Sequence, residues 1–277
     1  DPAATRASFE KLGAASDFES WSSFYSETTE LAANLWPSVL KPLRKRSELK
    51  QEFSNPEVWD RFIERPVGDA IASGFSNDWV KGVVYTDALI GTFASNNDES
   101  LNANKCFLYH VIGGGTGEWN VPIGGMGAVS GELEKAAIRF GAKLVSNAEV
   151  VGINTSADGA MISYRTGTEM HELDPHLVLT NASKQELAKL LGQSAQPVTP
   201  AFSQNKAYPF GAQVKVNLML KRLPKLRDES LSPEAAFGGT FHINESFEQL
   251  QNAYEAASRG EIPDPMPCEI YCHSLTD

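Results

Sequence analysis

The chain has 277 residues, 42% of them hydrophobic and 21% charged, the composition of a folded globular protein and not of a disordered one. Its formal net charge of -11 argues against a general nucleic-acid binder, which needs a basic face to neutralise phosphates. It has no run of about 18 apolar residues that would make a membrane-crossing helix.

No signal peptide is recognisable, the first residue is Asp1, and Asp277 follows a strand-like stretch. The expectation is an internal piece of a longer protein. Three cysteines, Cys106, Cys268 and Cys272, fit neither a zinc site nor a secreted disulfide framework. Cys268 and Cys272 stand four apart on an expected strand, on one face but too far apart to bridge. Buried free thiols in a cytoplasmic or organelle-matrix setting are the expectation.

The first third reads helical. Phe24, Thr28, Leu31 and Leu35 recur at helical spacing, and Pro37 ends that helix. A second helix starts after Asn55-Pro56 with Val58, Phe62 and Ile63 on one side, and a third covers residues 68–75. The apolar stretch 83–93 has no assignable period. A glycine-rich segment, 113–127, leads into an amphipathic helix with Met126, Val129, Leu133, Ala136, Ala137 and Phe140 on one face and Gly141 as C-cap. From Lys143 the period becomes two. Short strands are predicted at 144–146, 150–154, 160–165 and 169–173, with turns at Asp158-Gly159 and Thr166-Gly167, a β-meander. The run 176–180 reads as a buried strand, and Ser183 caps a helix over 184–191. Residues 193–208 form a crossover, and 212–220 alternate as a strand. The segment 235–243, a helix at 246–257 and a strand at 268–273 complete the chain. Helices early and strands late predict an α+β fold.

The residues alone do not name a reaction. Gly124-Gly125 ahead of a helix suits either a ligand or a packed turn; the spacing is neither G-x-G-x-x-G nor a P-loop. Ser130 lies outside any G-x-S-x-G elbow. Asp87, Glu118 and Glu132 are acids without visible partners. His110 reads as a hydrogen-bonded structural histidine and Trp119 as a packing residue. The histidines, among them His171 and His176, show no metal-ligand spacing, so no metal is expected. The basic run 41–46 reads as a solvated helix end, with an anion or lipid-headgroup contact as the alternative.

Three stretches add a resemblance: Gly117-Glu-Trp-Asn-Val-Pro-Ile-Gly-Gly-Met-Gly-Ala-Val-Ser130, Phe140-Gly-Ala-Lys-Leu-Val-Ser-Asn-Ala-Glu-Val-Val-Gly-Ile153 and Leu177-Val-Leu-Thr-Asn-Ala-Ser183. Together they resemble the phytoene dehydrogenase-like family of FAD-dependent oxidoreductases, in a branch named for a pyridine nucleotide-disulfide oxidoreductase domain. Asp1-Pro2, Trp21 and Leu108-Tyr-His110 resemble that branch as well.

The resemblance implies a mixed β-sheet substrate-binding domain covered by helices, built from residues 1–125 and 196–277. It implies that 126–195 are the helix, β-meander and return strand of an incomplete FAD-binding domain. Val150, Asn181 and Ala182 would then lie against FAD, and Trp119, Pro122, Gly124, Gly125 and Met126 near the flavin ring and substrate. The implied activity is flavin-mediated hydride transfer, desaturation or isomerisation of a lipophilic small molecule. Peripheral membrane contact and homo-oligomer formation are compatible with it. The family's phosphate-binding G-x-G-x-x-G is missing, so this chain alone is expected to bind FAD weakly or not at all. The alternatives are a non-catalytic module that keeps the flavoprotein fold, or a helical interaction domain using residues 9–43.

Overall fold

The structure, a computed structural model, describes residues 2–117, 120–192 and 213–275. It contains two compact units, Asp1–Met126 with Phe210–Asp277, and Gly127–Pro209. The fold is α+β with small antiparallel sheets.

In the first unit, α1 (Pro2–Lys11) precedes α2 (Asp17–Leu35). Acidic Asp17 and Glu19 stand in the first turn of α2, where they complement the helix dipole. Phe24, Thr28 and Leu31 form its buried face, and the helix tightens into a 3-10 turn at Trp36–Ser38, where Pro37 stops it. After α3 (Arg46–Glu52), Asn55 caps α4 (Pro56–Trp59) by accepting the Val58 amide at 3.3 Å. One π-helical turn, Asp60–Glu64, continues it. Then come α5 (Val67–Gly74), α6 (Asp78–Thr86) and α7 (Asn102–Ile112). The unassignable stretch 83–93 is thus the end of α6 followed by turns.

Aromatic rings fill the core. Phe24 meets Phe62 edge-on at 5.2 Å, and Phe62 stacks on Phe107 at 5.9 Å. Two buried polar side chains tie the helices together. Asp17 accepts the amides of Ser76 and Asn77, the latter at 2.7 Å. Asn104 accepts the Val67 amide at 3.0 Å and donates to the carbonyls of Phe62 (2.8 Å) and Arg65 (2.7 Å). The glycine run at 113–115 forms a 3-10 turn, and Gly115 (φ 87°) lies so close to the Trp36 indole that a Cβ would stand 3.0 Å from its ring.

The later part of this unit supplies α10 (Pro233–Phe237), β4 (Phe241–Ile243), α11 (Phe247–Ser258) and β5 (Cys268–Ile270). Ser232 and Ser246 cap the two helices. Helix α11 packs on α6, with Phe247 edge-on to Tyr85 at 5.4 Å. The Asn96 amide donates to Gln251 at 2.8 Å.

The second unit carries α8 (from Gly125 to Arg139), β1 (Ala148–Ser156), β2 (Gly159–Thr166), β3 (Glu169–Leu173) and α9 (Lys184–Leu191). The strands form an antiparallel meander in the order β1-β2-β3, with a register shift between Val150 and Gly152. Ser183 caps α9 as expected, accepting the Glu186 amide at 3.2 Å.

Several expectations are corrected. The sheet of the first unit is a two-stranded antiparallel pair, β4-β5, and no mixed sheet occurs among the described residues. Residues 144–146 and 176–180 are not strands, and Leu177 and Leu179 are exposed. Residues 213–220 are likewise irregular, with Val214, Val216 and Leu218 exposed; Ala212 and the crossover 193–208 lie outside the described residues. The shared face of α8 exists, but Met126, Leu133 and Phe140 are exposed on it. Alternation and helical period say which side chains share a face; a strand needs a paired neighbour and a face needs a cover. The free thiols are not buried either: Cys268 is exposed, and Cys106 and Cys272 are half-buried.

Candidate functional site

Tyr25, His110 and Cys106 of the first unit converge around Asp87, in the turn after α6. Tyr25 on α2 donates its hydroxyl to Asp87 Oδ2 at 3.4 Å. His110, near the end of α7, holds Asp87 Oδ1 through Nδ1 at 2.8 Å. The hydrogen bond to Asp87 raises the His110 pKa against the opposing effect of its burial. Burial, and then the Asp87 charge, push the Tyr25 hydroxyl well above the usual phenol range. Cys106, one helical turn before His110, donates its thiol to the Ile90 carbonyl at 3.0 Å. Burial pushes the pKa of that thiol up.

A second group faces the first within electrostatic range: Glu269 acts on His110 and Asp87 acts on His242. His242 on β4 lies directly opposite Glu269 on β5 in the strand register. After His242 the chain turns through Asn244, a left-handed residue at φ 55° whose side chain donates to the Met266 carbonyl at 3.2 Å. The turn brings Glu245 back to the imidazole: His242 Nδ1 is 2.6 Å from Glu245 Oε2 and 3.6 Å from Glu269 Oε1. Gly82 of α6 permits this loop to approach, because a Cβ there would stand 1.9 Å from the Glu245 carbonyl oxygen. Tyr271 donates its hydroxyl to the other Glu269 oxygen. Burial and that bond push the Tyr271 hydroxyl up to about 12. Glu245 is a buried carboxylate raised by desolvation, and its hydrogen bond raises His242.

The arrangement offers two histidine–carboxylate pairs at the edge of an aromatic core. Such pairs can accept, hold and return a proton. His242, Glu245 and Glu269 also present ligand atoms within 4.8 Å of one another. Sequence reasoning missed the acids' partners. Asp87 has Tyr25 and His110, and Glu132 pairs with Lys135; Glu118 lies outside the described residues. A faint signal did exist in His242-Ile-Asn-Glu245, but Glu269 comes from another strand.

The sequence-predicted residues lie elsewhere. Val150 is on β1, which pairs only with β2 in the sheet, at the register shift. Asn181 and Ala182 are exposed just before the α9 cap, and the Ala182 amide donates to Thr180 Oγ1 at 3.1 Å. Pro122, Gly124, Gly125 and Met126 form the turn into α8, with Gly124 and Gly125 at φ 84° and 64°. The Gly125 amide donates to the Pro122 carbonyl at 2.9 Å, so this turn closes on itself. Trp119 lies outside the described residues. The apolar stretches 83–93 and 106–112 contribute Val84, Tyr85, Ala88, Phe107 and Val111 to the buried core.

No family model matches the chain, and no solved structure matches it. Among curated proteins it is similar to an uncharacterized protein of Mycobacterium tuberculosis, 44% identical over 274 residues, covering 96% of this chain and 49% of that protein. A Mycobacterium bovis protein, also uncharacterized, matches to the same extent. The mouse protein named pyridine nucleotide-disulfide oxidoreductase domain-containing protein 2 is 26% identical over 249 residues, covering 85% of this chain and 41% of that protein. The chain thus spans about half the length of the curated relatives it matches. It is a distant relative of proteins named for an oxidoreductase domain.

Proposed function

We propose that this chain is part of a flavin-dependent oxidoreductase related to the phytoene dehydrogenases, and that the complete protein acts on a lipophilic small molecule. The observation that carries this reading is the similarity, over 85% of the chain, to the mouse protein named for an oxidoreductase domain. In this reading the first unit belongs to the substrate side. Pro122, Gly124, Gly125 and Met126 line the approach to the flavin, while Val150, Asn181 and Ala182 of the second unit lie against FAD.

The described residues do not by themselves fit FAD. The sequence has no G-x-G-x-x-G at a helix start to hold a pyrophosphate. FAD binding is therefore proposed for the complete polypeptide. Bound flavin would supply the hydride chemistry. The chain's own contribution is a proton store: His110 held by Asp87, with Tyr25 as the second donor to that carboxylate.

The test is the visible spectrum of the purified full-length protein. Flavin bands that bleach on reduction support the proposal. A colourless protein that cannot be reconstituted with FAD refutes it in favour of a non-catalytic module with the same fold.

A further inference from the structure

We propose that His242, Glu245 and Glu269 form a binding site for a divalent first-row transition-metal ion. The inference is independent of the flavin reading and rests on the donor set, its geometry and its charge.

One imidazole and two carboxylates make a nitrogen–oxygen donor set of the kind that holds manganese, iron(II) or zinc. Their ligand atoms lie within 4.8 Å of one another. Ligands about 2.1 Å from a common ion stand roughly 3–3.5 Å apart. The 3.6 Å separation of His242 Nδ1 from Glu269 Oε1 is close to that spacing, and the 2.6 Å contact to Glu245 needs only a small opening.

Charge gives the second reason. Two carboxylates share one imidazole, with His242 Nδ1 within ion-pair distance of both. Within the set, a protonated His242 offsets one of the two carboxylates, and His110 lies further off, within electrostatic range of Glu269. A divalent cation with a neutral imidazole balances the set completely.

The site is also built rather than accidental. Strand register sets His242 against Glu269, and the Asn244 turn and the close approach at Gly82 place Glu245. Tyr271 holds the second oxygen of Glu269, an outer-shell contact of the sort that orients a ligating carboxylate. The side chains of His242 and Glu269 keep 24% and 18% of their surface exposed. That leaves water access for the remaining coordination positions.

The experiment uses this chain stripped with EDTA. Cobalt(II) is added as a visible-band probe, and manganese(II) and zinc(II) are titrated calorimetrically. The expected result is saturable one-to-one binding, cobalt bands displaced by zinc, and a rise in Tm with metal. His242→Ala and Glu269→Gln should each weaken binding at least tenfold while the circular dichroism in EDTA stays that of the parent. Glu132→Gln, in the second unit and outside the donor set, should bind like the parent. If Glu269→Gln fails to fold, Tyr271→Phe reads the same carboxylate, with a loss of about tenfold. Absence of saturable binding up to millimolar metal would overturn the proposal. So would parent-like affinity in His242→Ala, which would place the ion elsewhere, or in whichever of Glu269→Gln and Tyr271→Phe folds.

Discussion

Asn104→Ala is the sharpest test of how the first unit is held together. Asn104 is 2% exposed and satisfies three backbone groups, the Val67 amide and the carbonyls of Phe62 and Arg65. Those groups bracket the π-helical turn and the first residue of α5. Truncation leaves all three without that partner, at about 1 kcal/mol or more each where water cannot reach. The expected loss is about 3 kcal/mol, a large share of the roughly 5–15 kcal/mol that separates a typical folded domain from its unfolded state. The assay is urea unfolding followed by tryptophan fluorescence. Trp21, Trp36, Trp59 and Trp79 belong to the first unit, so their signal reports that unit. Asn104→Asp keeps the acceptor for Val67 but turns a carboxylate toward two carbonyls, and should be no better than alanine. A midpoint shift for Asn104→Ala worth less than about 1 kcal/mol would refute this account of the buried amide.

Three further outcomes are expected. Gly82→Ala should destabilise the first unit by about 1–3 kcal/mol, because the new Cβ overlaps the Glu245 carbonyl; an unchanged urea midpoint would contradict that contact. His110 should titrate above its ordinary value, so its pairing with Asp87 adds stability below about pH 6.5 that fades as pH rises through the folded pKa. Asp87→Asn should bring the His110 NMR titration back down, and a midpoint that stays put would show that another group raises it. Calorimetric titration of this chain with FAD should give no micromolar binding, and a micromolar isotherm would disprove the expectation drawn from the missing phosphate loop.

The sequence was most readable where chemistry is local. Pro37, Asn55, Ser183 and Ser246 mark helix ends because a cap or a missing amide acts within one turn. The meander was readable because Asp158-Gly159 and Thr166-Gly167 fix tight turns between alternating residues. The apolar run at 176–180 and the alternating run at 213–220 have no ladder, since pairing depends on a neighbour that a local pattern does not specify. The polar site was hidden for the same reason. His110 and Tyr25 lie 23 and 62 positions from Asp87, and nothing in the local pattern around any of the three links them.

The second unit interrupts the first, and this has a kinetic consequence. The bond from the Asn96 amide to Gln251 spans 155 positions, and that from the Glu248 amide to Asp78 spans 170. During synthesis, helix α6 leaves the ribosome long before α11 exists to cover it. The intervening meander, whose partners are adjacent in sequence, can close first. Completion of the first unit must await the last strand pair, so its exposed α6 face is the segment most in need of protection while the chain is still growing.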